Sequence, residues 1–246
     1  RMYAGDQASL AAVEAIRVEL GLDQPVGVQY LSYLKRLSSG DLGTSFITRR
    51  PVTVEIGTRF GNTAILAFGA IIASTLLGIF MGVVAALYRG KWLDHLLSVL
   101  AVGGISIPVF WLGLLLMFLF SLKLHWLPVA GNATWRHYIM PIFCLSVYSV
   151  AFITRMARST VLDVLGSDYV RTAKSKGLRP RIINIRHVIR NALIPLITTV
   201  GLRFGYMLGG AVVTETVFAW PGVGRLLVIA VTQRDIPVVQ GILLVF

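Results

Sequence analysis

Long runs without a charged residue alternate along the chain with short segments that are mostly basic. A membrane-spanning helix needs about 20 apolar residues to cross a hydrocarbon core about 30 Å thick. Four runs meet that length or approach it: 60–88, 96–122, 138–154 and 191–214, the last of which contains Arg203. Another apolar run starts at Ile236. The pattern predicts an all-α, polytopic bundle of transmembrane helices with four full spans and one partial span.

The segment 1–59 precedes these runs and carries helix and turn signals of its own. Residues 9–20 predict a short helix, and Pro25 to Leu37 predict a second one that ends near Gly40. The sequence GDLGTS at 40–45 predicts a turn, and Pro51 opens the helix that leads into the first full span. We therefore expect 1–59 to form a helical segment outside the membrane and 60–246 to form the membrane core.

Small residues and prolines inside the spans predict how they pack. Glycines recur at four-residue spacing in two spans: Gly78 and Gly82 in the first, and Gly201, Gly205 and Gly209 in the fourth. Such spacing allows the backbones of two helices to approach closely. Pro108 and Pro141 lie inside spans and are predicted to kink or interrupt them.

The distribution of charge predicts the orientation of the spans. Only 14% of the residues are charged, against about a quarter in soluble proteins. Segments 89–95 and 155–190 hold 11 of the 23 Lys and Arg residues. Basic residues near the ends of spans favour the cytoplasmic side, so these two segments are predicted to be cytoplasmic and 1–59 to be outside.

The most basic segment is DYVRTAKSKGLRPRIINIRHVIRNALIP, residues 168–195. Asp168 is predicted to cap a helix from Tyr169 to Lys176 that ends at Gly177, and a second helix is predicted from Pro180 to about Ile189. Positive charge alone also fits a solvated loop or a site for phospholipid headgroups. Neither alternative explains a glycine hinge between two helices. Nucleic-acid binding is not expected, because the segment is tied to two spans and lacks interleaved aromatic residues.

The sequence shows no pattern typical of an active site or a metal site. RGKW at 89–92 lacks the upstream glycine and the hydroxyl residue of a phosphate-binding loop. The four histidines are scattered, no pair of carboxylates forms a dyad, and Cys144 is the only cysteine. We expect a chain without catalytic residues or a bound cofactor, powered by partner subunits.

Two further features are candidates for contact with a substrate or a partner. Arg203 is a charge inside a span, where it either attracts a carboxylate of a passing substrate or is a structural charge that snorkels or pairs with a glutamate. Glu215 and the turn at Trp220, Pro221 and Gly222 lie at the predicted outer end. For Trp220, the alternative interpretation is an anchor among lipid headgroups.

Six blocks, in order, resemble one family of membrane proteins. They are LGLDQPVGVQY (20–30), GDLGTS (40–45), SIPVFWLGLLL (106–116), WLPVAG (126–131), RMARSTVLDVLGSDYVRTAKSKGL (155–178) and TETVFAWPGVGRLL (214–227). They resemble the permease subunits of ABC importers, in the branch that transports peptides, glutathione and nickel. The resemblance covers essentially the whole chain and implies the type I permease fold. That fold usually has six spans, so we expect a first span to precede residue 1.

The resemblance also implies roles for single residues. Segment 155–190 would be the cytoplasmic loop whose coupling helices dock into a groove of the ATP-hydrolysing subunit. The residues implied in docking are Asp168, Tyr169, Arg171, Ala173, Lys174, Gly177 and Arg181. The wider superfamily has Glu-Ala-Ala where this chain has Arg171, Thr172 and Ala173, and a proline where it has Arg190. At the outer end, Glu215, Trp220, Pro221 and Gly222 would face the solute receptor, and Arg203 would lie on the translocation path.

The implied partners are those of an ATP-driven importer in the inner membrane of a bacterium or an archaeon. They are a second, homologous permease, two subunits that bind ATP and Mg²⁺, a solute-binding protein outside the membrane, a peptide-like substrate and the lipid bilayer. A nickel or metal-chelate permease of the same family remains an alternative. A secondary transporter coupled to ions would need carboxylates inside the spans, and the four full spans contain none. A membrane scaffold would leave the hinged loop unexplained.

Overall fold

A computed structural model describes residues 23–245 together with Ala11, Glu14, Arg17 and Val18. The described residues form helices and connecting segments, without a β-strand, as the sequence predicts for an all-α protein. Most of the helix predicted for residues 9–20 lies outside the described residues. The next predicted helix is confirmed as α1, Val26–Ser38, with Pro25 at its N-cap position.

The remaining helices follow in chain order. They are α2 (Val52–Leu87), α3 (Trp92–Ser106), α4 (Val109–Leu116), α5 (Arg136–Leu165), α6 (Asp168–Ser175), α7 (Pro180–Ile182), α8 (Arg190–Val217), α9 (Val223–Thr232) and α10 (Ile236–Val245). Two segments with wider, π-helical turns continue existing helices: Met117–Lys123 extends α4, and Ile183–Ile189 joins α7 to α8.

Three helices are long and apolar enough to cross a membrane: Val52–Leu87, Arg136–Leu165 and Pro180–Val217. The predicted span 96–122 is instead a broken pair, α3 and α4, bent by 102°. The break lies where Ile107 adopts an extended conformation before Pro108, because proline disfavours helical geometry in the preceding residue. The prediction for Pro108 is confirmed. At Pro141 the helix is not interrupted, since α5 runs through this proline without a break, and the predicted kink stays a prediction.

The chain forms two compact units, and residues 61–225 make up the larger one. Helix α5 is central to this unit and packs mainly against α3 and α8. A β-carbon at Gly78 would lie 2.8 Å from the side chain of Ile153, and one at Gly82 would lie 2.5 Å from the carbonyl oxygen of Thr154. The first glycine pair therefore sets a close contact between α2 and α5, as predicted. Gly201, Gly205 and Gly209 face open space within the chain.

The smaller unit consists of residues 1–60 and 226–246. Gly40 and Gly43 have positive φ angles of 77° and 85°, which confirms the turn predicted at GDLGTS. Asp235 is buried and accepts hydrogen bonds from the hydroxyl of Ser45 and from the amide of Phe46, 3.0 Å away. These bonds hold the segment after the turn against the residue that precedes α10.

Candidate functional site

The segment after α5 forms a short helix that ends at a glycine. Gly177 has a φ of 74°, and its amide donates to the carbonyl of Lys174 at 2.9 Å. The amide of Leu178 donates to the carbonyl of Ala173 at 3.4 Å. This pair of bonds is the Schellman arrangement, in which a left-handed residue satisfies the last carbonyls of a helix. The predicted stop at Gly177 is confirmed.

The start of this helix differs from the prediction. Asp168 is its first residue rather than its cap, and Ser167 occupies the N-cap position without a side-chain hydrogen bond to the helix. The hydroxyl of Ser167 instead donates back to the carbonyl of Val164 at 2.6 Å. The carboxylate of Asp168 still lies in the first turn, where a negative charge interacts favourably with the positive end of the helix dipole.

The second predicted helix begins at Pro180, as expected, but it does not end near Ile189. The wider turns at Ile183–Ile189 carry it into α8, so that one helix of 38 residues runs from Pro180 to Val217. No proline or glycine falls between Pro180 and Ala192 to end it. Of the two helices predicted in this segment, only α6 is therefore short and separate from the helices beside it.

One face of α6 belongs to the core of the larger unit. Val170 and Ala173 are buried against Ala86 of α2, Val161 of α5 and Ile183 beside α7. Ala173 is thus packed within this chain, and its predicted role in docking stays a prediction. Gly177 has no neighbour that a β-carbon would meet, so it stays open to a partner.

The opposite face of α6 is exposed and basic. The exposed residues of α6 include Tyr169, Arg171 and Lys174, which are predicted for docking, and Arg181 of α7 is exposed as well. Arg171 lies 3.7 Å from Asp168, but both side chains are largely exposed, so this pair contributes little. The predicted basic residues Arg171, Lys174 and Arg181 are therefore all accessible to a partner.

An ion pair that the sequence did not predict lies beside this loop. Arg158 of α5 donates from Nε and Nη2 to the two carboxylate oxygens of Asp94 in α3, at 2.6 and 2.8 Å. The amide of Gly90 donates to the same carboxylate at 3.0 Å. Asp94 is buried and Arg158 is about one-third exposed. A bidentate pair with this geometry fixes the segment 89–95 to the helix that leads into α6.

Removing either charge of this pair is expected to destabilise the protein. Asp94→Asn or Arg158→Gln leaves the other group partly buried without its partner, which costs about 1–3 kcal/mol. For a chain of this size that lowers the melting temperature by roughly 3–10 °C. Thermal melting of the purified importer measures the change. Asp163→Asn removes an exposed carboxylate of α5 and is the matched control. Additive effects of Asp94→Asn and Arg158→Gln in the double variant would contradict the coupling of these two groups.

Arg203 lies on the wall of a cleft with a volume of about 420 Å³. Its guanidinium carbon is 3.4 Å from the centre of the Phe152 ring, 5.4 Å from that of Tyr206 and 5.7 Å from that of Tyr148. No carboxylate pairs with Arg203 among the described residues. The glutamate pairing considered from the sequence is thus not found there. Aromatic rings stabilise the charge instead, through cation–π contacts.

At the other end of α8, the carboxylate of Glu215 accepts hydrogen bonds from residues of α2 and α9. Its side chain is fully buried, and Thr63 donates a hydroxyl hydrogen bond to Oε1 at 2.6 Å. The amide of Arg225 donates to Oε2 at 3.0 Å, and the amide of Val223 donates to Thr63 at 2.8 Å. The two side chains therefore cap the start of α9, whose first amides have no partner within their own helix.

The turn before α9 is equally enclosed. The indole of Trp220 is fully buried, donates to the carbonyl of Asn62 at 3.1 Å and packs against Tyr138. The interpretation of Trp220 as an anchor among lipid headgroups is therefore wrong. Pro221 is partly exposed, and its carbonyl accepts a bond from Asn62 at 2.9 Å. Sequence reasoning missed Asn62 and Thr63, although two adjacent polar residues in an apolar span were a usable signal.

Comparison with known proteins identifies the family. The family model described as binding-protein-dependent transport system inner membrane component matches residues 74–246. The chain belongs to this family. It is a multi-pass inner-membrane protein and a permease subunit of an ABC importer, as its sequence blocks predicted.

The permease has relatives that match over all of its 246 residues. It is 46% identical to the glutathione transport system permease protein GsiC of Salmonella paratyphi A and to that of Pectobacterium atrosepticum. It is 44% identical to GsiC of Escherichia coli K12. The permease covers 80% of the length of each of these relatives.

Solved structures support the fold. The MetNI methionine ABC transporter in an inward-facing conformation matches with a TM-score of 0.62 at 18% identity, over 77% of this chain and 89% of that one. An amino acid ABC transporter crystallised with histidines matches with a TM-score of 0.61 at 17% identity, over 78% and 86%. Both confirm the all-α ABC permease fold that the sequence predicted.

Proposed function

We propose that the permease is one of two membrane subunits of an importer for glutathione or a similar short peptide. Two partner subunits bind ATP and Mg²⁺, a solute-binding protein delivers the substrate from outside, and the permease itself has no catalytic residues and no cofactor. Relatives of 44–46% identity that are named glutathione permeases support the substrate class. The basic loop is on the cytoplasmic side in this proposal.

The observation that carries the coupling mechanism is the unbroken helix from Pro180 to Val217. At about 1.5 Å per residue, 38 residues reach roughly 55 Å, enough to cross the membrane. This one helix contains the residues from Pro180 onward, just after the hinge at Gly177. It also contains Arg203 at the cleft and Glu215 at the other end. A displacement at Pro180 is therefore carried to the cleft and to the α9 cap along one continuous helix, which includes the π-helical turns at Ile183–Ile189 and Pro195.

The short helix α6 is the natural contact for the ATP-hydrolysing subunit. Its buried face, with Val170 and Ala173, attaches it to α5 and to the start of the long helix. Its exposed face presents Arg171 and Lys174, which fit a groove with an acidic rim. Force on the exposed face is transmitted through the buried face, because packed apolar contacts resist compression.

The solute-binding protein docks at the opposite end in this proposal. Glu215 and Trp220 are buried, so their contribution is to hold the shape of the turn rather than to touch the receptor. Partly exposed Pro221 remains available for direct contact. The buried Gly222 allows the turn to pass close to the Glu215 carboxylate.

The test is transport by the complete importer, reconstituted in proteoliposomes with its second permease, its two ATP-hydrolysing subunits and its solute-binding protein. We expect uptake of glutathione or of a di- or tripeptide that requires ATP, Mg²⁺ and the solute-binding protein together. Omitting each component in turn provides the controls. Uptake of a nickel chelate but of no peptide would favour the metal branch of the family. Uptake driven by an ion gradient without ATP would refute the proposal.

A further inference from the structure

The cleft at Arg203 contains polar groups that the fold itself leaves without partners. Arg203 stacks its guanidinium over Phe152, and this contact uses the face of the planar group. Its N–H donors point outward in the plane, and none of them donates a hydrogen bond to the part of the chain that the structure describes. An arginine with free donors at the depth of a membrane span is costly unless water or a ligand occupies the space beside it.

Other hydroxyl groups line the same cleft. Tyr148 and Tyr206 flank Arg203, and Ser149 lies beside Tyr148 on the same helix. None of these three hydroxyls is hydrogen-bonded within residues 23–245. The rest of the wall is apolar, formed by residues such as Val109 and Met207. One cation with a few hydroxyls in a largely apolar cavity is the composition of a small-molecule site, and 420 Å³ lies in the usual size range.

From this geometry we infer that Arg203, Tyr148 and Tyr206 form a binding site for a carboxylate of the transported molecule. A carboxylate matches the fork of guanidinium donors in the plane that stacking on Phe152 leaves free. The phenol hydroxyls donate to the same anion, and the rings flank an adjoining apolar part of the ligand. This inference rests on the proposed function and adds a chemical class to it, peptides with a free carboxylate.

Stacking also explains how the charge of Arg203 is stabilised when no ligand is bound. Contacts with the rings of Phe152, Tyr206 and Tyr148 stabilise the cation through their π-electron faces. A carboxylate of this chain at the same place would neutralise Arg203 permanently and would compete with a substrate. Aromatic rings hold the charge in position without consuming its hydrogen-bond donors.

The experiment measures equilibrium binding to the complete importer in nanodiscs, without its solute-binding protein and without nucleotide. The two test ligands are glutathione and its diamide, in which both carboxylates are amides, and saturation-transfer NMR gives the Kd of each. For the unmodified importer we expect glutathione to bind about tenfold more tightly than the diamide. Arg203→Gln is expected to remove this difference, and Arg203→Lys to reduce it, because an ammonium lacks the bidentate fork.

Arg136→Gln is the matched control, because Arg136 also stacks on an aromatic ring, that of Trp135 at 5.7 Å, but does not line this cleft. It should leave the tenfold preference intact. Equal binding of the two ligands to the unmodified importer, no binding of either at millimolar concentration, or an unchanged preference in Arg203→Gln would each overturn the inference. A loss of the second permease from the Arg203→Gln complex, with preference retained, would assign Arg203 to subunit assembly instead.

Uptake in proteoliposomes separates this inference from the proposed function. If the unmodified importer takes up peptides with ATP but Arg203→Gln shows the unmodified preference, the function stands and the carboxylate site fails. If the unmodified importer takes up no peptide at all, the proposed function fails, whatever the NMR measurement shows.

Discussion

Replacing Gly177 by arginine is expected to abolish uptake while ATP hydrolysis continues. Gly177 has a φ of 74° and no neighbour near its missing β-carbon, so an arginine fits the chain itself at a backbone cost of about 1–2 kcal/mol. In the proposed coupling mechanism the substitution impairs docking, because a long charged side chain occupies the space where the ATP-hydrolysing subunit would approach the hinge. Transport and phosphate release are measured in parallel on the same proteoliposomes, and their ratio reports coupling.

Two control variants separate docking from backbone strain. Gly177→Asn places a small residue that tolerates the left-handed conformation, and it should retain most of the uptake. Gly90→Arg puts the same side chain on another open glycine, with a φ of 76°, in the predicted cytoplasmic segment 89–95. It should transport almost normally. Normal uptake by Gly177→Arg, or equal losses in Gly177→Arg and Gly90→Arg, would show that the hinge is not the docking point.

At the end of α8 that lies away from Gly177, Gly222→Ala is expected to lower the stability of the protein more than other substitutions in this turn. A β-carbon at Gly222 would overlap the carboxylate of Glu215, which is itself held by Thr63 and by the amide of Arg225. Either the turn or the carboxylate must move, and the first amides of α9 then lose their cap. Overpacking of this kind costs about 1–3 kcal/mol, and an unsatisfied buried carboxylate adds to it.

Thermal melting of the purified importer and hydrogen exchange of the amides at 223–225 measure this effect. We expect a lower melting temperature and faster exchange at these amides. Gly61→Ala is the matched control, because Gly61 lies in α2 with open space at its missing β-carbon, and alanine suits a helix better than glycine. Slow exchange at 223–225 in Gly222→Ala would contradict the cap described for α9.

Local signals in the sequence predicted the features that depend on a few consecutive residues. The stop at Gly177 and the break before Pro108 follow from backbone conformations that those residues and their neighbours require. The basic surface around Arg171 and Lys174 was predictable because charged residues are scarce in the rest of the chain. The family resemblance rested on blocks of sequence, and the comparisons confirm it.

Features that depend on distant residues were not predictable in the same way. Nothing near Ala173 in the sequence indicates that it packs inward, since its neighbours come from α2, α5 and the segment before α8. The pairing of Asp94 with Arg158 joins residues 64 positions apart, and each alone looks like an ordinary loop charge. The burial of Glu215 likewise depends on Thr63, 152 positions away. Tertiary contacts of this kind decide burial, and hydrophobic patterning does not report them.

The break between α3 and α4 determines which medium can lie against one wall of the Arg203 cleft. A backbone that bends by 102° leaves carbonyls at the end of one helix and amides at the start of the next without helical partners. Val109 is the first residue of α4, so its amide is one of these groups, and hydrocarbon chains have no donors or acceptors for them. Because Val109 also lines the cleft, that wall must adjoin protein or solvent. The backbone at this break therefore requires a polar neighbour, either a partner chain or water, before any ligand reaches the cleft.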